Sequence, residues 1–305
     1  MSRFSQATTR TNVPLKVRDI ATPVSGGGRG RRLGEAMSTA LNARGISADL
    51  HVTTRAGEAG EIATEVGYDC VVSVGGDGTT NEIANALVGT DIVLAILPLG
   101  TANVVARQLG IPLNADAVAD LIARGSVRRM DVGRCGDRIF LLGTGAGPDA
   151  AIVEAIHARR GRRLGYSGYY IPTLRTLWRY DWPRIRVTVD GEQLCDDGHY
   201  AIVGNCRFSA GVFPFTPEAR IDDGLLDVCV MRNLNMWRLA WHAVASWRSG
   251  FIARKDVLYR TGTRVRFEAV DSITLPLQID GDPAGTLPSE FSVDPAALRV
   301  FAPTA

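Results

Sequence analysis

From residue 15 the chain alternates short apolar runs with stretches whose apolar residues recur at helical spacing. "LKVRDIAT" reads as a strand that stops at Pro23, and "VSGGGRG" follows as a loop. Leu33 to Ala43 has a helical pattern closed by Gly45, after which "ADLHVTT" is strand-like and "GEAGEIATEVG" helical. "CVVSV" is a third strand that runs into glycines, with a helix near Thr80 to Leu87. "IVLAILP" is a fourth, with a helix from about Ala102 to Leu109. Apolar strands alternating with helices predict a parallel sheet with both faces covered.

After about residue 134 the pattern changes. "RIFLLGTG", "RIRVTVDG", "HYAIVGN", "LLDVCVM", "RVRFEA", "SITLPLQIDG" and "LRVFAP" are strand-like runs, with turns such as Asp190-Gly191 and Asp223-Gly224 between them. Such spacing predicts an antiparallel, sandwich-like domain. Helical inserts are expected near residues 151 to 181 and 236 to 252. The expected fold class is therefore α/β. A parallel-sheet domain over 15–133 precedes a β-sandwich domain over 134–289, behind a floppy tail over 1–14.

Composition narrows the function. The chain has 305 residues, 46% hydrophobic and 22% charged, with a net charge of +2. A dedicated nucleic-acid binder would be more strongly basic. The charge is uneven, however: Arg159, Arg160, Arg162, Arg163, Arg175, Arg179, Arg184 and Arg186 crowd one region. Cys70, Cys135, Cys195, Cys206 and Cys229 form neither a CxxC pair nor a metal-ligand spacing, which fits a reduced, cytoplasmic compartment. The tail "MSRFSQATTRTNVP" lacks the apolar core of a signal peptide, and no run reaches about 18 apolar residues.

The candidate chemistry starts at "VGGDGTTNE". Gly75, Gly76 and Gly78 lie where a parallel strand gives way to a helix, the usual ligand-binding end of such sheets. Glycines there free the backbone, and the amides of the turn and helix form a cradle for phosphate. Asp77 could hold a magnesium ion beside the phosphates, while Thr79 and Asn81 supply short polar side chains. A plain strand-to-helix turn with an aspartate cap remains the alternative. Gly100 and Thr101 repeat the pattern one βα unit later in "LPLGTAN", and two such turns would converge on one crevice. No G-x-x-x-x-G-K-[ST] occurs, and "GTGAGPD" resembles a Rossmann fingerprint only loosely. The four histidines form no metal-binding or triad pattern.

"GGDGTTNE", "PLGTAN" and "TPVSGGGRG" together resemble the diacylglycerol kinase catalytic-domain family, which also holds sphingosine and ceramide kinases. The resemblance continues through "VGNCRFSAGVFPFTPEARIDDGLLDVCV" and "LQIDGD" to "VDPAALRVFAP", nearly the whole chain. It implies an ATP- and Mg²⁺-dependent lipid kinase: a nucleotide-binding α/β domain, then a β-sandwich domain whose C-terminal strand, here 290–305, returns to the first. It places Gly76, Asp77, Gly78, Thr79, Thr80, Asn81 and Glu82 along the ATP phosphates, with Gly100, Thr101 and Asn103 from the second turn. Ser25, Gly26 and Thr53 match further nucleotide positions.

For catalysis the resemblance implies an acid in "DGD", with Asp282 where the family has a glutamate proton acceptor. Asp280, two residues away, would share its face on an extended strand, and either could serve. A hairpin turn with solvated acids is the alternative, and Asp190-Gly191-Glu192 is expected to be one. "RIDDGLLD" resembles a structural magnesium site, with the Asp223 carboxylate and the backbone carbonyls of Arg220 and Leu225; an ion-free type I turn is equally open.

Two departures matter. Thr22 replaces an asparagine, and Val104 replaces an aspartate found in many diacylglycerol kinases, which removes a carboxylate from the metal network and leaves Asp131 as a candidate member. Sphingosine kinases also lack that acid. Diacylglycerol is thus the default acceptor, with sphingoid bases and ceramide open. A catalytically weak nucleotide- or lipid-binding regulator is a second reading. NAD kinases share the GGDG turn but place their Asn-Glu pair well downstream.

A lipid kinase must meet its substrate at a bilayer surface, so peripheral membrane association is expected, with a homodimer left open. Residues 159–186 interleave arginines with Tyr166, Tyr169, Tyr170, Trp178, Tyr180 and Trp182, a composition suited to an anionic interface. "MWRLAWHAVASWRSGFIARK" sets Trp237 and Trp241 on one helical face; there, core or interdomain packing is the preferred reading.

Overall fold

A computed structural model describes residues 15–23, 25–158, 166–208, 213–271 and 274–304, with residues 166–170 followed as backbone only. The first half alternates strands and helices: β1 (Lys16–Ala21), a glycine turn α1 (Ser25–Gly28), α2 (Gly30–Asn42), β2 (Ser47–Val52), α3 (Glu58–Ala63) and β3 (Cys70–Gly75). α4 (Asp77–Leu87), β4 (Val93–Pro98), α5 (Val104–Leu109) and α6 (Ala115–Arg124) follow. β1, β2, β3 and β4 are mutually parallel, in the order β4-β3-β1-β2. Every residue of β3 and β4 is buried, which explains their unbroken apolar composition. α6 lies where no helix is expected from the strand–helix alternation, although Asn114 caps its start and Gly125 ends it.

The second half is antiparallel. Its elements are β5 (Val127–Cys135), β6 (Arg138–Phe140), β7 (Gly143–Ala146), α7 (Pro148–His157), α8 (Tyr166–Trp178), β8 (Ile185–Val189), β9 (Glu192–Gly204) and β10 (Leu226–Arg232). Then come α9 (Met236–Ala245), β11 (Val257–Gly262), β12 (Arg264–Ala269), β13 (Pro276–Ile279), β14 (Asp282–Thr286) and β15 (Ser289–Phe301). Among the described residues the strands form one continuous sheet, ordered β14-β13-β7-β9-β8-β12-β15-β4-β3-β1-β2. β15 is the join: it pairs antiparallel with β12 and β5, and Val300 lies parallel to Leu94 of β4.

Three apolar clusters hold this together. One surrounds the parallel sheet (Ile20, Val72, Ile83, Leu94), and one fills the sandwich, where Phe267 and Phe291 meet edge-on at 5.0 Å. A smaller cluster of Tyr200, Phe215, Met231 and Phe251 lies beneath α9. Each fully buried large side chain contributes roughly 1.5–3 kcal/mol. The five cysteines are all free. No helix among the described residues is long and apolar enough to cross a membrane.

Candidate active site

The two glycine turns touch. A Cβ added at Gly100 would lie 2.8 Å from the Gly76 Cα, and one at Gly76 would lie 3.1 Å from the Gly100 Cα. Only glycine permits this backbone-to-backbone approach, so the pair sets the floor of a crevice at the C-terminal ends of β3 and β4. Gly26, at φ +60°, brings the first loop to the same place, 3.1 Å from the Leu99 carbonyl oxygen by the same measure. Ser25 is fixed by its N–H to the Thr22 carbonyl, and the Thr22 and Thr79 hydroxyls meet at 3.0 Å. Gly75 is needed where Thr79 folds back over the strand end, since a Cβ there would lie 2.6 Å from the threonine side chain.

Asp77 opens α4 and points at the second turn. Its carboxylate accepts backbone N–H bonds from Val105, Val104 and Asn103, while burial pushes its pKa above the ordinary value. Gly78, with open space around it, and Thr101 are exposed to the crevice. Asn103 adopts φ +45° and donates to the Gly100 carbonyl at 2.8 Å, leaving its own Oδ1 buried without a partner.

Other residues expected here turn away. Thr80 is buried, its hydroxyl 3.0 Å from that of Ser73, because it lies on the side of α4 packed against β3. Glu82 reaches backward and accepts from the Ala59 and Gly60 N–H groups at 2.7 and 3.2 Å, capping α3. Thr53 is buried, with its hydroxyl toward the Ala21 carbonyl at 3.5 Å. The Val104 side chain is completely buried in the core of the first domain, so only the backbone N–H of that position, bonded to Asp77, reaches the crevice.

The "DGD" segment arrives from the far end of the chain. Asp280 and Gly281 are not on an extended strand: at φ +49° and +85° they form the two-residue turn of the β13–β14 hairpin. The expectation that Asp280 and Asp282 share one face is therefore corrected. Nor is Asp280 solvated. Its carboxylate accepts from the N–H groups of Leu141, Leu142 and Gly143 at 2.8, 2.9 and 2.9 Å, and from the Asn81 amide at 2.5 Å. Burial raises its pKa to about 6 against the pull of these donors. With four donors converging on it, Asp280 is a brace between the domains. Asp282, half-buried, begins β14 immediately beyond the turn. The charges of Asp280 and Asp77 both act on the Cys206 thiol, buried beneath the crevice, whose pKa burial pushes well up.

Asp190-Gly191 shares the turn but not the setting: exposed Asp190 accepts from the Thr263 and Arg264 N–H groups at 3.0 and 2.8 Å, so it too is bonded rather than merely solvated.

The "RIDDGLLD" loop is a separate site. Asp223 is exposed and accepts the Leu225 N–H at 3.1 Å, while Arg220 pairs with Asp222. Asp131 belongs here and not to the crevice of the glycine turns: on β5, it accepts from the Gly224 and Ala296 N–H groups, each at 2.7 Å. Its side chain ties this loop to the bulge in β15.

One acid escaped the sequence reading. Asp149, in the "GTGAGPD" set aside as a loose fingerprint, opens α7 and accepts from Gln278 at 3.0 Å, with Tyr200 also bonded to it. Gln278 in turn accepts the Gly281 N–H at 2.9 Å. Burial raises Asp149 to about 6. The signal was an aspartate directly after a Gly-Pro helix start.

A parallel α/β domain whose glycine turns face an acid-bearing hairpin from a second domain defines a class of two-domain phosphotransferases. Comparison with known proteins agrees. Residues 16–135 match the model of the diacylglycerol kinase catalytic domain, and 144–302 match that of the YegS C-terminal NAD kinase beta sandwich-like domain. The diacylglycerol kinase of Mycobacterium tuberculosis (strain CDC 1551 / Oshkosh) is 30% identical over 94% of this chain and 95% of its own. That of Bacillus subtilis (strain 168) is 27% identical over 81% of this chain and 83% of its own. A solved diacylglycerol kinase structure from Bacillus anthracis str. Sterne has the same fold, with a TM-score of 0.76 at 24% identity over 96% of this chain and 99% of that one. The chain belongs to the diacylglycerol kinase family. It is a lipid kinase, a phosphotransferase for which the family implies ATP as phosphate donor.

Proposed function

We propose that the protein transfers the γ-phosphate of ATP, with Mg²⁺, to the hydroxyl of a diacylglycerol-like lipid, sphingoid bases and ceramide being the nearest alternatives. The observation that carries this reading is the Asn81–Asp280 bond, which ties residues 199 positions apart and sets the Asp282 hairpin beside the start of α4.

The residues fit a nucleotide. Gly27, Gly28 and Gly78 leave open space beside the touching pair Gly76 and Gly100, so phosphates can approach the backbone. Thr79 and Thr101 line the same opening, and the α4 amides face it. The Asp77 carboxylate, already oriented by three N–H groups, is the group suited to hold the metal. Bound Mg²⁺ would neutralise charge on the transferring phosphate. Asp282 accepts the proton of the lipid hydroxyl as that oxygen attacks. Asp280, Asn81 and Gln278 fix the turn that carries Asp282. The exposed Asp223 loop, braced by Asp131, is the place for a structural Mg²⁺.

The acceptor lies in a bilayer, so the protein works as a peripheral, cytoplasmic enzyme. Within 159–186, Arg159, Arg160, Arg162 and Arg163 lie outside the described residues, but Ile171, Leu174 and Trp178 form an exposed stripe on α8 beside Arg175 and Arg179. Asp282→Ala tests the reading. Transfer of labelled phosphate to diacylglycerol should fall by roughly 10²–10⁴-fold, with ATP affinity within threefold of wild type. Full transfer by the variant would remove Asp282 from the chemistry.

A further inference from the structure

α9 is built with its apolar surface outward. Its covered side is His242 and Ala245, with Ser246 just beyond, while Leu239 and Ala243 are partly covered by the small core beneath. Its outer side carries Trp237 (74% exposed), Trp241 (52%) and Val244 (60%), spaced i, i+4 and i+7, and Trp247 (59%) follows. A helix packed on a soluble domain normally shows the reverse arrangement. Three of the chain's five tryptophans thus face solvent from one short segment, and the expectation that Trp237 and Trp241 are covered by core or interdomain packing is overturned.

The charge along this segment is mostly basic. Residues 236 to 255 contain Arg238, Arg248, Arg254 and Lys255 and no acid. Asp256, the next residue, is held by His242 at 3.0 Å and Arg254 at 3.4 Å. The Arg254 guanidinium stands 5.9 Å from the Trp241 ring, and Arg238, Arg248 and Lys255 are exposed. The face also continues toward α8: Trp182, four residues beyond the exposed Trp178, packs against the same small core that seats α9.

We propose that α9 is the surface by which this protein lies on an anionic lipid bilayer, tryptophans at the headgroup boundary and basic side chains among the lipid phosphates. This rests on the lipid-kinase reading, which supplies the reason to visit a bilayer. Indole rings favour that boundary, and large apolar patches rimmed by polar groups mark interaction surfaces. A rim of four basic residues against one acid, Asp256, selects an anionic sheet over a neutral one. At about 15 Å long, a ten-residue helix lies on the surface and does not span it.

The full-length protein should be sedimented with vesicles of phosphatidylcholine alone and of phosphatidylcholine with equal phosphatidylglycerol. Wild type should prefer the anionic vesicles, with a blue shift of tryptophan emission on binding. Trp237→Ala with Trp241→Ala should lower binding at least tenfold. Arg248→Ala with Lys255→Ala should lower it roughly 30-fold on anionic vesicles, from about 1 kcal/mol per basic residue near such a surface, and leave neutral vesicles unaffected. Both variants should phosphorylate a short-chain diacylglycerol in detergent micelles as wild type does. Wild-type vesicle binding by α9 without phosphorylation of any lipid would sink the kinase reading and leave α9 standing. Undiminished vesicle binding by both variants would overturn the α9 proposal, as would loss of dimerisation in the tryptophan variant with vesicle binding intact.

Discussion

Asp280→Ala separates a brace from a base. The substitution removes the carboxylate that accepts the Leu141, Leu142 and Gly143 N–H groups at the neck of the crevice, and releases Asn81 as well. Three part-buried donors left unpaired cost about 1 kcal/mol each, the low end of the range for buried groups. Alanine held at φ +49° adds about 1 kcal/mol. Relief from burying a carboxylate offsets part of this, giving a net loss of about 3 kcal/mol at pH 7, a large share of the roughly 5–15 kcal/mol available to a folded domain. Asn81→Ala loses a single bond of the four and should cost about 1–2 kcal/mol. Urea unfolding monitored by far-UV circular dichroism reads both, with phosphate transfer measured on the same preparations. If Asp280→Ala lost under 1 kcal/mol while transfer vanished, the carboxylate would be acting chemically and the brace assignment would be wrong.

Two further predictions come from buried positions. Val104→Asp, which reinstates the acid common among diacylglycerol kinases, should destabilise the chain by at least about 3 kcal/mol, because the site is completely buried and the Asp77 carboxylate is bonded to its backbone; a stable variant with tighter Mg²⁺ binding would refute this. Asp19 is buried on β1 with one acceptor satisfied by Ser38 at 2.6 Å and the other oxygen unpartnered, and burial raises its pKa to about 7. The folded chain therefore holds this proton longer than the unfolded one, so stability is full below about pH 4 and falls as pH rises through 7. Asp19→Asn should match wild type at pH 4 and exceed it by up to about 4 kcal/mol at pH 8, as read by thermal unfolding across pH; parallel curves for the two proteins would exclude the effect.

What could be read from the sequence was local. Apolar runs of β3 and β4 announce a parallel sheet, and glycines at their ends announce a crevice, because strand burial and backbone freedom are written in neighbouring residues. The two turns do converge there. β14 was invisible for the same reason: "DPAGT", with Pro283 and Gly285, has no strand pattern and is a strand only through its pairing with β13.

Tertiary structure decided which polar residues face the crevice. Asp280, Asp131, Thr80 and Glu82 read as site residues by motif, yet each is turned to a buried donor or hydroxyl supplied by a distant or neighbouring element. Motif spacing states which residues are close in the chain, while hydrogen-bond satisfaction across elements decides where their oxygens point. The same holds for α9. Its sequence is that of an amphipathic helix, and only the three-dimensional packing determines that His242 lies inside and the tryptophans out.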